Sequence, residues 1–110
     1  MSQKKKEVRE RFRNEVFKRD KYCCVCCGFK SNKEKANEEL DSHHITDRTE
    51  IINGGYVKEN GITLCAECHW KAEQYHSTGT AYPGYSPEAL YSKIGSSFEE
   101  AWKASEQLLG

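Results

Sequence analysis

Apolar residues at the start of the chain are spaced as in an amphipathic helix. Val8, Phe12 and Val16 follow one another at intervals of four, within a stretch over residues 4–19 that contains no Gly or Pro. This spacing places them in one narrow stripe on a helix, with charged residues on both sides. We expect the helix to end at Asp20.

The centre of the chain changes to a strand pattern and then returns to a helical one. Residues 40–45 and 62–64 contain β-forming residues beside turn residues and predict two strands, joined by a loop that contains Gly54-Gly55. Residues 68–76 contain no Gly or Pro and predict a short helix. The order strand, loop, strand, helix indicates an α+β fold.

The last third of the chain carries the start and stop signals of two further helices. Ser86 as N-cap and Pro87 at the first helical position begin a helix that Gly95 ends. Ser97 to Glu100 form a capping box that begins a final amphipathic helix. We expect residues 77–110 to act as a helical brace.

The composition predicts one small domain with a modest apolar core. Hydrophobic residues make up 36% of 110 residues, and the mean hydropathy is −0.88. A core of this kind usually needs a staple, which six cysteines can supply as disulfides or as a metal site. No apolar stretch resembles a signal peptide or a membrane span. We therefore expect a soluble cytoplasmic protein with no membrane partner, in which paired cysteines bind zinc.

Basic charge is concentrated near the N-terminus. Residues 1–21 carry nine Lys and Arg against four Asp and Glu, a net charge of +5, and the remaining residues carry −5. This asymmetry is compatible with an arm that contacts nucleic-acid phosphates. A solvated helix face is the competing interpretation. The candidate nucleic-acid contacts are Arg9, Arg13, Lys18 and Arg19, together with Arg48 in the central loop.

Two overlapping C-x-x-C pairs follow the first helix. Residues 22–28 read Tyr-Cys-Cys-Val-Cys-Cys-Gly, so that either Cys23/Cys26 or Cys24/Cys27 has the spacing of a zinc knuckle. A Gly after the second Cys lets backbone N–H groups approach the sulfurs. Because this Gly directly follows Cys27, we assign the second pair as ligands.

A second C-x-x-C pair completes the predicted zinc site. This pair is Cys65 and Cys68, and Cys65 lies 38 residues after Cys27. Two such pairs predict a structural Zn²⁺ site with four Cys ligands. Cys23 and Cys26 then remain as spare thiols or packing residues. A redox or metal-sensing role for these two is an alternative.

All four histidines lie in the central segment. His43 and His44 are adjacent on the first predicted strand, so their side chains point to opposite faces. His69, Glu73 and His76 are spaced i, i+4, i+7 on the following helix and share one face, which would suit a divalent ion. The competing interpretation is one hydrogen-bonded core histidine, one exposed histidine and a solvated helix face.

Several motifs lie in order along the chain: Arg19-Asp20-Lys21-Tyr22, Cys24 with Cys27-Gly28, Asp41-x-His43-His44-Ile45, Asn60-Gly61-Ile62-Thr63-Leu64-Cys65 and Cys68-His69. Taken together, they resemble the zinc-containing HNH endonuclease family. The resemblance covers about half the chain and implies a small ββα-metal core of the His-Me finger type, stapled by the four-Cys site. The expected single domain has a basic N-terminal helix at residues 1–21, a zinc knuckle and core at 22–76 and the brace at 77–110.

The resemblance also implies roles for individual residues. Some relatives place another His four residues after the final helix His, and here that position is occupied by Glu73. His44 would be the general base, and His43 and His69 would bind a catalytic Mg²⁺, Mn²⁺ or other divalent ion. Glu73 and His76 are further candidate ligands. Asn60 would position the loop that orients His44.

The implied chemistry agrees with these residue types. An imidazole can activate water, and a divalent cation can stabilise the charged transition state and the leaving alkoxide. The resemblance thus implies a one-metal endonuclease that nicks or cuts double-stranded DNA and leaves 5′-phosphate and 3′-hydroxyl ends. The alternative is a non-catalytic zinc-ribbon DNA-binding module.

The overall layout is similar to that of small stand-alone HNH proteins of bacteriophages and bacteria. If the protein is phage-encoded, its location would be the host cytoplasm. Phage packaging machinery is a candidate partner, although no residue requires it. We expect a monomer or a homodimer.

Overall fold

The computed structural model describes residues 2–108, with side chains from Lys5 onward, so the predicted domain limits at residues 1 and 110 lie outside it. None of the helices within the described residues is long and apolar enough to cross a membrane. The elements are α1 (Ser2–Arg19), α2 (Ala36–Glu39), β1 (Leu40–His44), β2 (Gly61–Cys65), α3 (Ala66–Thr78), α4 (Pro87–Lys93) and α5 (Phe98–Glu106).

The centre of the fold is a two-stranded antiparallel sheet followed by a helix. β1 pairs with β2 in a register that sets Leu40 opposite Cys65 and His44 opposite Gly61. Helix α3 follows β2 directly and ends at Gly79, whose left-handed backbone (φ 81°) suits glycine. The predicted order strand, strand, helix is confirmed, and the α+β class with it.

Helix α1 packs against β2 through its predicted apolar stripe. Phe12 and Val16 are buried, and so is Phe17 beside them. A Cβ atom on Gly61 would lie 2.5 Å from Val16 Cγ2 and 2.7 Å from Phe12 Cε1. The glycine at the start of β2 therefore permits the close approach of α1 to the sheet.

The caps predicted for α4 and α5 are present. Ser86 Oγ accepts a hydrogen bond from the backbone N–H of Ala89 at 3.1 Å. Ser97 Oγ accepts one from the N–H of Glu100, also at 3.1 Å. Each helix therefore begins where its sequence signal places it.

Helix α5 is joined to the Gly-Gly turn of the central loop. Asn53 Nδ2 donates to the carbonyl oxygens of Ser105 and Leu108, both at 3.1 Å. The N–H of Gly55 donates to Ser105 Oγ at 3.1 Å, and that hydroxyl donates to the carbonyl oxygen of Ile52. Because Ser105 is fully buried, these bonds fix the loop to the C-terminal segment.

One main core lies among β2, the loop that follows β1 and the last three helices. Its residues are apolar side chains that are almost completely buried. They include Ile45, Ile51, Ile62, Leu64, Ala72, Leu90 and Ala101.

Candidate metal centre and active site

The adjacent histidines of β1 point to opposite faces of the sheet, as strand alternation predicts. His43 lies on the α3 face, where its ring centroid is 5.2 Å from that of His69 and 5.2 Å from that of His76. His44 lies on the α1 face, with its ring centroid 4.6 Å from that of Phe12. The strand therefore supplies one imidazole to each side.

Three side chains on the α3 face bring their donor atoms together. Glu73 Oε2 is 3.1 Å from His43 Nδ1 and 3.3 Å from His69 Nε2. The three donor atoms lie within 4.8 Å of one another. His69 and Glu73 stand one turn apart on α3, which directs both side chains toward β1. Two imidazole nitrogens and a carboxylate oxygen form a donor set that suits a divalent ion.

The charge states of these groups also fit a metal ion. Burial lowers the pKa of His43, against the opposing effect of Glu73, so that the imidazole is neutral near pH 7. Contact with His43 lowers the pKa of Glu73, which is therefore a carboxylate. His43 Nδ1 is buried and has no aligned hydrogen-bond partner among the residues described. A divalent ion would satisfy this nitrogen.

His44 lies in an aromatic slot on the other face. Its ring is 4.6 Å from the Phe12 ring and 4.6 Å from the Tyr56 ring, centroid to centroid. Burial, followed by the proximity of His43, lowers the pKa of His44 to about 4. Its Nε2 is enclosed and lacks a hydrogen-bond partner within residues 2–108. At pH 7 the ring is neutral and can accept a proton.

Asn60 fixes the chain directly after β1. Its Oδ1 accepts from the N–H of Thr46 at 2.9 Å and from the hydroxyl of Tyr91 at 2.7 Å. Its Nδ2 donates to the carbonyl oxygens of Thr46 at 3.1 Å and Gly55 at 3.2 Å. The fully buried amide thus holds both backbone groups of a residue that lies two positions after His44.

The four cysteines assigned to zinc converge at the far end of the sheet. The sulfur atoms of Cys24, Cys27, Cys65 and Cys68 lie within 4.8 Å of one another. Cys27 Sγ and Cys65 Sγ are 3.6 Å apart, close to the separation of roughly 3.8 Å that tetrahedral Zn–S bonds of about 2.3 Å require. The cluster is consistent with a zinc-stapled core.

The local backbone of the knuckle favours a thiolate at Cys24. Burial opposes ionisation, but hydrogen bonds from the backbone N–H groups of Cys65, Cys27 and Cys26 outweigh it and lower the pKa of Cys24 to about 7. The turn is completed by Gly28, which has a left-handed backbone (φ 83°). A thiolate is the form of cysteine that binds metal.

The other two cysteines lie outside the cluster. Cys23 Sγ donates to the carbonyl oxygen of Lys21 at 3.2 Å. Cys26 packs against the main core, and burial raises the pKa of its thiol to about 11. Of the two overlapping pairs, Cys24/Cys27 therefore belongs to the cluster and Cys23/Cys26 does not.

The family model for HNH endonucleases matches residues 24–74. The chain contains an HNH endonuclease domain. The match includes both strands, most of α3, the four clustered cysteines and the donor set around Glu73. An HNH domain supports a nuclease-type function in general and implies DNA as the substrate. No curated protein and no solved structure matches the chain.

His76 stands beside the candidate metal-donor set of His43, His69 and Glu73. Its ring stacks on that of His43 at an interplanar angle of 27°. Its Nε2 is 3.1 Å from the carbonyl oxygen of His44. Of the two further candidate ligands, the structure brings Glu73 into the set with His43 and His69, and it brings His76 to the backbone of β1.

Arg19, predicted to contact nucleic acid, uses its guanidinium for contacts within the fold. Nε and Nη2 each donate to the carboxylate of Asp20 at 2.8 Å. Nη1 donates to the carbonyl oxygen of Lys58 at 2.6 Å, and Nη2 donates to that of Gly61 at 2.7 Å. These bonds tie the end of α1 to the start of β2, which assigns Arg19 to the scaffold.

The other candidate DNA contacts have different surroundings. Arg9, Lys18 and Arg48 are exposed. Arg13 is partly buried, and its Nε has no hydrogen-bond partner in the part of the chain that the structure describes. Arg13 and His69 line the same surface cavity, so Arg13 lies close to the candidate metal centre.

Sequence reasoning gave no role to Asp41, Tyr56 or Tyr91. Asp41 Oδ2 is 3.3 Å from Nδ1 of His69. The signal for Asp41 was available, because a residue two positions before His43 shares its strand face. Tyr56 and Tyr91 reach the site from distant loops and helices and leave no local pattern.

Proposed function

We propose that this chain is a metal-dependent endonuclease that hydrolyses phosphodiester bonds of DNA by a one-metal mechanism. One observation carries the proposal: of two adjacent residues of β1, one belongs to a metal-donor set and the other is a neutral imidazole on the opposite face. His43 meets His69 and Glu73 on one face, and His44 is unpaired at Nε2 on the other. Binding DNA alone would need neither group.

Each step follows from the chemistry of the residues. His43, His69 and Glu73 would hold Mg²⁺, Mn²⁺ or another divalent ion, which supplies positive charge for the phosphate and the leaving alkoxide. The imidazole of His44 takes a proton from the attacking water. Because Nε2 is enclosed by aromatic rings, we assign the acceptor role to Nδ1. The products would carry 5′-phosphate and 3′-hydroxyl ends.

The remaining groups position these two. Asn60 holds the backbone at Thr46 and so orients the segment that carries His44. The four cysteines bind structural Zn²⁺. Arg9, Arg13, Lys18 and Arg48 contact phosphates, so binding weakens steeply with salt. One site per chain cuts one strand, so a monomer nicks and double-strand cleavage needs a homodimer or two events.

The test is cleavage of supercoiled plasmid with added Mg²⁺ or Mn²⁺. We expect the wild type to produce open circles and the His44→Ala variant to produce none, with unchanged zinc content and circular dichroism. Glu67→Gln serves as the control, because its exposed side chain lies on α3 outside the donor set. An active His44→Ala protein would show that the base is assigned wrongly.

A different outcome would favour the alternative function. If the wild type cuts with neither ion but shifts DNA in a gel, the protein is a zinc-dependent DNA-binding module. The phage packaging partner stays a prediction of the resemblance, and the cytoplasmic location and the single domain over residues 1–110 stay predictions of the sequence.

A further inference from the structure

Tyr56 contacts the ring assigned as the general base. The Tyr56 and His44 rings meet edge to face, with centroids 4.6 Å apart and an interplanar angle of 86°. Tyr56 also meets the Phe12 ring edge to face at 5.8 Å. Since Nε2 of His44 has no hydrogen-bond partner within residues 2–108, these ring contacts restrain the imidazole.

Two exposed arginines meet the same tyrosine from different elements. The Cζ atom of Arg9, on α1, lies 5.7 Å from the Tyr56 ring centroid, a cation–π distance. The side chain of Tyr56 also raises the pKa of the Arg48 guanidinium, in the loop after β1, so the two side chains lie near one another. One side chain therefore joins the imidazole to two positive charges that are separated by 39 positions in the sequence.

The backbone beneath the tyrosine is fixed. Gly54 has a left-handed backbone (φ 82°), and a Cβ atom there would lie 2.8 Å from Cε2 of Tyr56. The ring thus lies directly across the Gly-Gly turn. That turn is held in place by the hydrogen bonds of Asn53 and Gly55 to Ser105.

We propose that Tyr56 is a positioning residue that sets Arg9 and Arg48 at a fixed place relative to His44. The two guanidiniums would bind phosphates of one DNA strand, so that the scissile phosphate arrives at the imidazole in one register. This inference rests on the proposed endonuclease function. The loop between the two strands would thus help to place the substrate.

Two substitutions separate the contributions of the hydroxyl and the ring. Tyr56→Phe removes the contact with Arg48 and keeps the ring against His44 and Arg9. We expect the salt slope of duplex binding to fall by about 0.9, the share of one phosphate contact. Tyr56→Leu removes the ring, so we expect the slope to fall by about 1.8 and kcat to fall at least tenfold.

The binding arm uses zinc-loaded protein and a fluorescent DNA duplex at several salt concentrations, with no added divalent ion. It therefore does not depend on cleavage. Arg48→Ala should lower the slope in the wild type and add nothing in the Tyr56→Phe background. Tyr82→Leu, at an exposed tyrosine on another surface, controls for loss of an aromatic ring, and zinc content controls for folding.

The outcomes separate the two proposals. Wild-type salt slopes in both Tyr56 variants, or additive effects of Arg48→Ala and Tyr56→Phe, would overturn the role of Tyr56. A wild-type protein that binds DNA but never cleaves it would overturn the endonuclease proposal, and the salt slopes would still report on Tyr56 as an organiser of phosphate contacts.

Discussion

Asp41 and Glu73 lie on either side of the His69 ring. Asp41 Oδ2 is 3.3 Å from Nδ1, and Glu73 Oε2 is 3.3 Å from Nε2. A carboxylate behind a metal-binding imidazole fixes its tautomer and its orientation. We infer that the Asp41 carboxylate accepts a hydrogen bond from the Nδ1–H of His69, which leaves Nε2 without a proton and free to bind the ion.

Replacing Asp41 by Asn should weaken the catalytic metal site alone. The amide keeps the shape of the side chain but loses the charge that orients His69. We expect the dissociation constant for Mn²⁺ to rise by about 10- to 100-fold, measured by isothermal titration calorimetry on zinc-loaded protein. Glu38→Gln, an exposed change on α2, is the control. Equal Mn²⁺ affinity in Asp41→Asn and the wild type would contradict this role.

The sequence allowed roles to be assigned to individual residues, but the long-range partners of those residues had to come from the structure. Gly28 distinguished Cys24 and Cys27 from the other cysteine pair, because only a glycine completes that turn freely. In contrast, Asn60 and Tyr91 are hydrogen-bonded across 31 positions. Such a contact leaves no periodic pattern, so its existence depends on how the helices pack.

At the scale of elements, α1 forms a wall of the proposed active site and also carries the basic residues of the proposed DNA contact. Phe12 contacts the ring of His44, and Arg19 bonds to the start of β2. Both residues precede the segment that matches the HNH family, which begins at residue 24. The amphipathic spacing predicted the helix, but it did not indicate that the apolar stripe would meet the imidazole.

The packing of α1 can be tested at Gly61. A methyl group there would meet Val16 and Phe12 at distances that require α1 to move. We expect Gly61→Ala to lower the free energy of unfolding by about 1–3 kcal/mol, the usual cost of overpacking, as measured by urea denaturation.

A second substitution makes this test specific to the contact. Val16→Ala removes the methyl group nearest to the new one, so it should cost less in the Gly61→Ala background than in the wild type. Simple additivity of the two changes would mean that the destabilisation comes from another source, such as the strand backbone.

At the scale of the whole molecule, the cysteine cluster joins segments that are far apart in the sequence. Cys24 and Cys27 lie in the knuckle, and Cys65 and Cys68 lie where β2 passes into α3. A hydrogen bond from the N–H of Val25 to the carbonyl oxygen of Thr63, at 3.0 Å, runs beside them. For a chain of 110 residues, we expect zinc at this junction to supply much of the stability.

The doubled cysteines provide matched variants for that expectation. Cys24→Ser should abolish zinc binding and unfold the domain at 25 °C, because the knuckle loses its tie to β2. Cys23→Ser should retain one zinc per chain, because this thiol lies outside the cluster. Metal content by mass spectrometry and far-ultraviolet circular dichroism would report both. Zinc loss in Cys23→Ser with retention in Cys24→Ser would reverse the assignment.

The overall layout was largely predictable, because each element carried a local signal. The caps at Ser86 and Ser97, the two strands and the cysteine spacing all have short-range causes. The docking of α5 on the central loop through Ser105 does not. It depends on residues 50 positions apart, and no local sequence pattern near either residue predicts the contact.

The alternation of His43 and His44 also limits how the gene can change. Because neighbouring residues of a strand face opposite ways, losing Ser42 or gaining one codon beside it would exchange the faces of the two imidazoles when the start of β1 keeps its place. Substitutions can therefore accumulate in this strand one at a time, whereas a change in its length would disable both halves of the site at once.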